Sequence, residues 1–238
     1  MYPRAEIARE TRRNFLVGGL AAAAGYAGYR WISNREPAMG TPGPLRKALE
    51  VNESLARAYY QSGRLAPEFP VAEARMPKVN GVLGIDDDGF DAAAWKLLVD
   101  DKAQLTMADI RSLPRVDSVT EIKCIEGWSE VCHWTGARFS DFAEKFAPGA
   151  RSKYVSMVTP NQGYFVGLDM ESAMHPQTLL CYEMNSAPLT AEHGAPLRLV
   201  IPVKYGIKNI KRIGSIQFTD QRPEDYWANE GYDWYAGL

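Results

Sequence analysis

The sequence holds little of what would place it in several large protein classes. It has three cysteines in 238 residues, an odd number and too few for a disulfide framework, so at least one thiol is free or bound to something. The formal net charge is −2, and lysine and arginine are spread along the chain. A nucleic-acid-binding protein needs a clustered basic surface. Nucleic acid is therefore not an expected partner.

Two common nucleotide-binding motifs are also absent. No Gly-x-Gly-x-x-Gly follows a strand-like run, and no Gly-x-x-x-x-Gly-Lys-[Ser/Thr] occurs. These absences argue against a nicotinamide-binding Rossmann fold and a P-loop fold. The chain is 46% hydrophobic, which is enough to bury a core in one domain behind a leader.

The N-terminus has the pattern of an export signal. The paired Arg12 and Arg13 are followed by an uncharged run, rich in Gly and Ala, that extends from Phe15 to Tyr29. This arrangement is typical of a twin-arginine signal, and the run is shorter than the ~20 apolar residues that span a bilayer. We expect a periplasmic protein exported by the twin-arginine route, with residues 1–35 cleaved as a signal or retained as an anchor to the inner membrane.

The rest of the chain predicts one mixed α+β domain behind a linker. Residues 36–75 contain a Pro- and Gly-rich linker and, at 45–62, one amphipathic helix whose leucines and tyrosines would serve in packing. Over 76–238, strands and helices do not alternate regularly, which indicates an α+β fold rather than a repeated βαβ unit. Strand-like runs lie at 95–99, 119–125, 153–159, 164–168, 197–201 and 210–218, and short helices at 106–113, with a capping box of Thr106 and Asp109, and at 140–146.

Two stretches of this domain indicate chemistry. Cys124 stands at the end of a strand-like run, and 193–211 is a Gly-rich basic stretch that could wrap a phosphorylated ligand. A single thiol with such a stretch suits a metal held through an organic cofactor. Cys132 and Cys181 are interpreted as small buried hydrophobic residues. A cysteine hydrolase using Cys124 and a histidine, or a secreted binding module with a structural cysteine, remains an alternative.

A series of motifs carries a resemblance to a known family. In order, they resemble the sulfite-oxidase-fold molybdenum enzymes, and most closely the bacterial periplasmic protein-methionine-sulfoxide reductase catalytic subunits. The resemblance covers residues 95–238 well and 76–94 weakly. The motifs are Cys124-Ile125-Glu126-Gly127-Trp128-Ser129, Trp134-x-Gly136, Ala173-Met174-His175-Pro176-x-Thr178-Leu179-Leu180, Gly194-Ala195-Pro196-Leu197-Arg198, Lys204-Tyr205-Gly206-x-Lys208-x-Ile210-Lys211 and Arg222-Pro223.

The resemblance implies a β-rich, sulfite-oxidase-like molybdopterin-binding domain and a molybdenum–molybdopterin cofactor. Cys124 would be the protein thiolate on the metal, and Glu126 would be a second catalytic residue beside it. A soft thiolate suits such a sulfur-rich site. By position, the residues implied to bind the cofactor are Asn80, Leu83, Gly84, Thr159, His193, Arg198, Asn209, Ile210 and Lys211.

The chain departs from the family pattern at three of these positions. His193 stands where the sulfoxide reductases usually carry Asn and resembles the His of sulfite oxidases, while Leu83 and Gly84 stand where the reductases carry Tyr and Glu. The activity implied is two-electron oxygen-atom transfer, most closely the reduction of S-oxides such as methionine sulfoxide. With no haem segment in the sequence, the electrons would come from a membrane haem-containing partner. The alternative is oxidation of sulfite on the same fold, which Glu126 disfavours because its charge would repel that anion.

Overall fold

A computed structural model describes residues 4–38, 40–86, 89–148 and 151–238. The helices are α1 (Arg4–Ser33), α2 (Gly43–Tyr59), α3 (Met107–Arg111), α4 (Phe139–Phe146), α5 (Met170–Ala173) and α6 (Tyr226–Asn229). The strands are β1 (Pro37–Ala38), β2 (Thr41–Pro42), β3 (Leu97–Val99), β4 (Ala103–Leu105), β5 (Arg115–Lys123), β6 (Ser129–Arg138), β7 (Tyr154–Val158), β8 (Phe165–Asp169), β9 (Leu179–Met184), β10 (Ala187–Pro188), β11 (Arg198–Val200) and β12 (Ser215–Thr219).

Two five-stranded sheets form the body of the domain. One has the order β10-β9-β6-β5, with β11 paired to β9, and the other has the order β4-β3-β12-β7-β8. In the second sheet β12 runs parallel to β3 and antiparallel to β7. Mixed pairing of this kind, with short helices between the strands, confirms the predicted α+β class.

The core lies between the two sheets and follows from alternation along the strands. In β7 the side chains of Val155 and Met157 are buried, and they belong to the same hydrophobic cluster as Leu180 of β9 and Leu199 of β11. Burial of every second residue is expected where one face of a sheet packs on a core. All six predicted strand runs overlap strands, and the capping box of Thr106 and Asp109 is present at the start of α3.

The segment predicted to be a leader forms helix α1, in which large apolar side chains are exposed. Phe15 is 79% exposed and Leu20 is 72% exposed. Among the residues that the structure describes, no helix combines the length and the apolar character needed to cross a bilayer.

Helix α2 is present as predicted, but the prediction that its leucines and tyrosines form the packing face is wrong. Leu55 and Tyr59 are exposed, whereas Arg46 and Glu53 are buried. Arg46 donates to the carbonyl oxygens of Ala38 (3.2 Å) and Tyr232 (3.1 Å) and to that of Ala228, and Glu53 pairs with Arg57 (3.0 Å) and Arg222. These polar contacts, together with the packing of Ala56 on the C-terminal cluster, fix which face of α2 docks.

Candidate active site

A cavity of about 520 Å³ opens beside the end of β5. Its walls come from the segment after Met76, from the turn that follows β5, and from the loops around residues 193 and 206–211. The structure thereby brings together residues that lie more than a hundred positions apart in the sequence. Of the residues predicted for the site, it is lined by Asn80, Leu83, Cys124, Glu126, His193, Arg198, Asn209 and Lys211.

A tight turn presents Cys124 to this cavity. The Cys124 backbone N–H donates to the carbonyl oxygen of Trp128 at 2.9 Å, and the Gly127 N–H donates back to the Cys124 carbonyl at 3.2 Å. Gly127 has φ +87°, a conformation that glycine adopts at no steric cost. The β5–β6 hairpin therefore closes with the thiol half-buried at its edge. Asn80 Nδ2 donates to Cys124 Sγ at 3.5 Å.

The other two cysteines have the structural role predicted for them. Cys132 and Cys181 are fully buried, and burial raises the pKa of each thiol to about 12. Such thiols stay protonated at neutral pH and are poor nucleophiles and poor metal ligands.

Glu126 places a carboxylate in the cavity wall next to the thiol. Its Oε2 accepts a hydrogen bond of 3.1 Å from the indole N–H of Trp128. Since both side chains line the cavity, the wall around Cys124 carries a negative charge that is held in place by an aromatic residue.

Arg198 is the strongest electrostatic feature of the site. It is the first residue of β11 and is only 3% exposed. Its guanidinium lies 5.1 Å from the centre of the Trp134 ring and donates to the carbonyl oxygens of His193 (3.2 Å) and Asn209 (3.4 Å). Within the described part of the chain, no hydrogen-bond partner is found for its Nε and no carboxylate lies within 4.0 Å.

A buried cation without a counter-ion is costly unless a ligand supplies the opposite charge. Burial lowers the pKa of Arg198, but a guanidinium stays charged in proteins. The cavity therefore suits an anionic group such as a phosphate, which a guanidinium can grip through two N–H donors.

Lys211 adds positive charge near Arg198, and these two cations disfavour protonation of His193. Burial, Arg198 and Lys211 together lower the pKa of His193, and burial and Arg198 lower the pKa of Lys211 to about 8. Gly194, at φ +95°, brings the two loops together, since a Cβ there would lie 2.8 Å from Lys211 Cα and from Arg212 N. A side chain at position 194 would therefore clash with the loop that carries Lys211 and Arg212.

Three residues predicted to bind a cofactor do not line the cavity. Ile210 is fully buried in the core. Thr159 uses its hydroxyl within a turn, donating to Asn161 Oδ1 (2.9 Å) and accepting from the Tyr164 N–H (3.1 Å). Gly84 packs on that turn, because a Cβ at Gly84 would lie 2.6 Å from Thr159 Cγ2. Thr159 and Gly84 instead contact Tyr164, which lines the cavity.

Sequence reasoning missed the aromatic part of the wall. Tyr164, Trp227 and Tyr232 line the cavity, and the Trp227 and Tyr232 rings meet edge to face with centroids 5.2 Å apart. The density of aromatic residues between Tyr226 and Tyr235 was the available signal. It does not by itself separate a cavity wall from a core cluster.

The chemistry of the donors bears on what the cavity can hold. Of the three histidines only His193 shares the cavity with Cys124, and no Cys124–histidine hydrogen bond occurs among the residues described, so the geometry does not support a hydrolase dyad. Likewise, the described residues contain no cluster of three or more His, Cys, Asp or Glu side chains that could hold a metal. A metal bound through Cys124 would need its other ligands from an organic cofactor, and an anionic one fits the charge beside Arg198.

The chain is similar to proteins of known families. Residues 84–227 match the family described as the oxidoreductase molybdopterin-binding domain. A protein of Azospira oryzae, provisionally named as the protein-methionine-sulfoxide reductase subunit YedZ1, is 32% identical over 232 residues, which cover 95% of this chain and 86% of that protein.

Two protein-methionine-sulfoxide reductase catalytic subunits, named MsrP, match shorter stretches. The one from Xanthomonas campestris is 39% identical over 132 residues, 50% of this chain and 41% of that protein. The one from Campylobacter jejuni is 34% identical over 172 residues, 63% of this chain and 58% of that protein. The chain thus spans about two fifths to three fifths of these two relatives.

A solved structure shares the fold. The sulfane dehydrogenase SoxCD from Paracoccus pantotrophus superposes with a TM-score of 0.51 at 19% identity, over 57% of this chain and 41% of that chain. The predicted fold is confirmed by this likeness and by the family match. On these grounds the chain belongs to the oxidoreductase molybdopterin-binding domain family.

Proposed function

We propose that the cavity holds a molybdenum–molybdopterin cofactor, with the Cys124 sulfur as the protein's ligand to the metal. The observation that carries this proposal is the pairing, in one cavity, of an accessible thiol with the buried guanidinium of Arg198, for which the described residues supply no counter-ion. Arg198 would bind the cofactor's phosphate, and Lys211 would add a second charge-assisted donor. When bound, the cofactor would supply two-electron redox chemistry with transfer of one oxygen atom.

The activity that we propose is the reduction of S-oxides such as methionine sulfoxide. Two electrons and two protons convert the sulfoxide to a sulfide and water. Glu126 is placed to handle those protons, since Trp128 donates to its Oε2 and no bond to its Oε1 is found among the described residues. Its carboxylate also disfavours an anionic substrate such as sulfite in the same cavity. The names of the relatives from Xanthomonas campestris and Campylobacter jejuni support this choice.

The electrons would come from a separate membrane subunit that carries haem. The described part of the chain offers no cluster of residues that could hold a second metal centre, and a molybdenum cofactor transfers its electrons to or from another redox group.

The catalytic test compares both directions on one sample. Cofactor-loaded protein would be assayed for reduction of methionine sulfoxide with an artificial low-potential donor, and for oxidation of sulfite with an artificial acceptor. We expect sulfoxide reduction to be the faster reaction by a wide margin. If sulfite oxidation exceeds the reduction of every S-oxide tested, the reductase proposal is wrong while the proposed cofactor site stands.

We further propose export by the twin-arginine route and a periplasmic location. The paired Arg12 and Arg13 precede an exposed run of apolar residues in α1, where an export receptor could read them. Changing both arginines to lysine keeps the charge and should leave precursor inside the cell, as measured by fractionation. Unimpaired export of this variant would refute the assignment of the route.

A further inference from the structure

The segment 77–85 has little regular structure of its own but forms one wall of the cavity. Pro77, Asn80 and Leu83 line the cavity, and the segment's only local backbone bond among those described joins the Ile85 N–H to the Val82 carbonyl oxygen at 2.9 Å. A stretch with so few internal bonds takes its position from what anchors it.

Two consecutive basic residues anchor this segment. Lys211 Nζ donates to the carbonyl oxygens of Asn80 (3.1 Å) and Gly81 (3.0 Å). Arg212 Nη1 donates to the carbonyl oxygen of Ile85 at 3.4 Å, and its guanidinium stacks 4.0 Å from the centre of the Phe90 ring. One basic pair therefore holds both ends of the stretch 80–85.

The loop that carries this pair is itself held firmly. The Arg212 N–H donates to the Gly194 carbonyl oxygen at 3.2 Å, and Arg212 Nε donates to the Ala195 carbonyl oxygen, also at 3.2 Å. The segment is therefore tied through Lys211 and Arg212 to the loop that follows His193.

The anchored segment places one side chain on the catalytic sulfur. Lys211 holds Asn80 through the Asn80 carbonyl oxygen. In this position Asn80 Nδ2 lies 3.5 Å from Cys124 Sγ. A hydrogen bond to sulfur withdraws electron density from a thiolate, and such outer contacts orient a metal ligand and tune the metal. An ammonium has three N–H donors, so Lys211 can hold two carbonyl oxygens and still offer one donor to a phosphate.

We propose that Lys211 and Arg212 are positioning residues that hold Asn80 on the Cys124 sulfur. This proposal rests on the proposed function in one respect, the assignment of Cys124 as the metal ligand. Lys211 then has two roles. It binds the phosphate of the cofactor, and it fixes the position of Asn80 beside the Cys124 thiolate.

The test compares three variants of the full chain by two measurements. Lys211→Met removes one anchor, and Asn80→Leu removes only the amide. Lys78→Met removes the charge of another residue that lines the cavity. Backbone hydrogen exchange of residues 77–85 is measured on metal-free and on loaded protein. The EPR spectrum of the molybdenum is recorded on loaded protein, and Lys211→Arg serves as the conservative rescue.

We expect Lys211→Met to speed exchange of the segment about tenfold, since a hydrogen bond from a charged group is lost, and to change the EPR spectrum. Asn80→Leu should change the EPR spectrum in the same direction and leave exchange unaltered, while Lys78→Met should change neither. Lys211→Arg should restore slow exchange. Unchanged exchange in metal-free Lys211→Met would overturn the proposal, even if metal content fell, because Lys211 would then be a phosphate ligand only.

Failure of the proposed function would look different. A chain that loads molybdenum but reduces no S-oxide would still show the exchange pattern and the EPR pattern described above. A chain that takes up no molybdenum would still show the exchange pattern, because that measurement does not need the cofactor.

Discussion

Replacing Arg198 by methionine should separate cofactor binding from folding. Methionine keeps an unbranched side chain of similar length but removes the charge. In the metal-free protein, loss of the donors to the His193 and Asn209 carbonyl oxygens is offset by removal of a buried charge without a counter-ion. We therefore expect the free energy of unfolding, measured by urea denaturation, to change by no more than about 1 kcal/mol.

Cofactor binding should respond far more strongly to this replacement. A hydrogen bond to a charged group contributes about 1.5–3 kcal/mol, so the loss of two such bonds to a phosphate weakens binding by about 3 kcal/mol or more. This corresponds to a factor of roughly 100 in affinity. The assay is molybdenum per chain after purification, with turnover then expressed per bound metal.

Arg111→Met is the matched control. Arg111 also stacks on an aromatic ring, that of Tyr182 at 4.4 Å, but it lies on the surface beside Glu183. Its replacement should leave the molybdenum content unchanged. Normal molybdenum content in Arg198→Met would refute the reasoning and would return Arg198 to a purely structural role beside Trp134.

Three further predictions follow from particular contacts. Cys124→Ser should abolish turnover, whereas Cys132→Ser and Cys181→Ser should keep most of it, because the latter thiols are buried and protonated; full activity in Cys124→Ser would contradict the site. Lys208→Met should lower the free energy of unfolding by about 3–5 kcal/mol, since it leaves Asp225 Oδ2, now 2.6 Å from Lys208 Nζ, as an unpaired buried charge. Adding Asp225→Asn should recover part of that loss in guanidinium denaturation, and a loss below about 1 kcal/mol in the single variant would contradict the contact's importance. The pKa of His193 in the folded protein is lowered from 6.5. The contribution of His193 to stability is therefore present above pH 6.5 and is lost as the pH falls through the pKa of the folded protein. His193→Asn should flatten that part of the pH dependence of the urea midpoint, and an unchanged profile would show that His193 does not contribute.

The fold and the centre of the site were predictable because their signals are local. Runs of β-branched and aromatic residues predicted β7, β8 and β12, and the order of short motifs predicted Cys124, His193 and Arg198. Strand β6 escaped prediction because charged and polar residues interrupt its pattern along Ser129–Arg138. Its identity as a strand comes from pairing on both sides, with β5 and with β9.

What remained out of reach depends on tertiary structure. Hydrophobic periodicity predicted α2 but could not tell which face docks, and the polar contacts of Arg46 and Glu53 decided it. In the same way, no sequence pattern shows that Lys211 meets the carbonyl oxygens of Asn80 and Gly81. Such contacts join positions about 130 residues apart, and only the packed fold brings them together.

The docking of α2 has a consequence for the order in which the protein folds. The carbonyl oxygens that Arg46 contacts at Ala228 and Tyr232 lie 182 and 186 positions away along the chain. Closing so long a loop has a high entropic cost and gains stability only after the intervening residues are ordered. We therefore expect the two sheets to form first. The docking of α2 on the C-terminal segment would then be the last and slowest step. Until it docks, Arg46 and Glu53 stay hydrated, so docking exchanges their contacts with water for contacts with carbonyl oxygens and with Arg222.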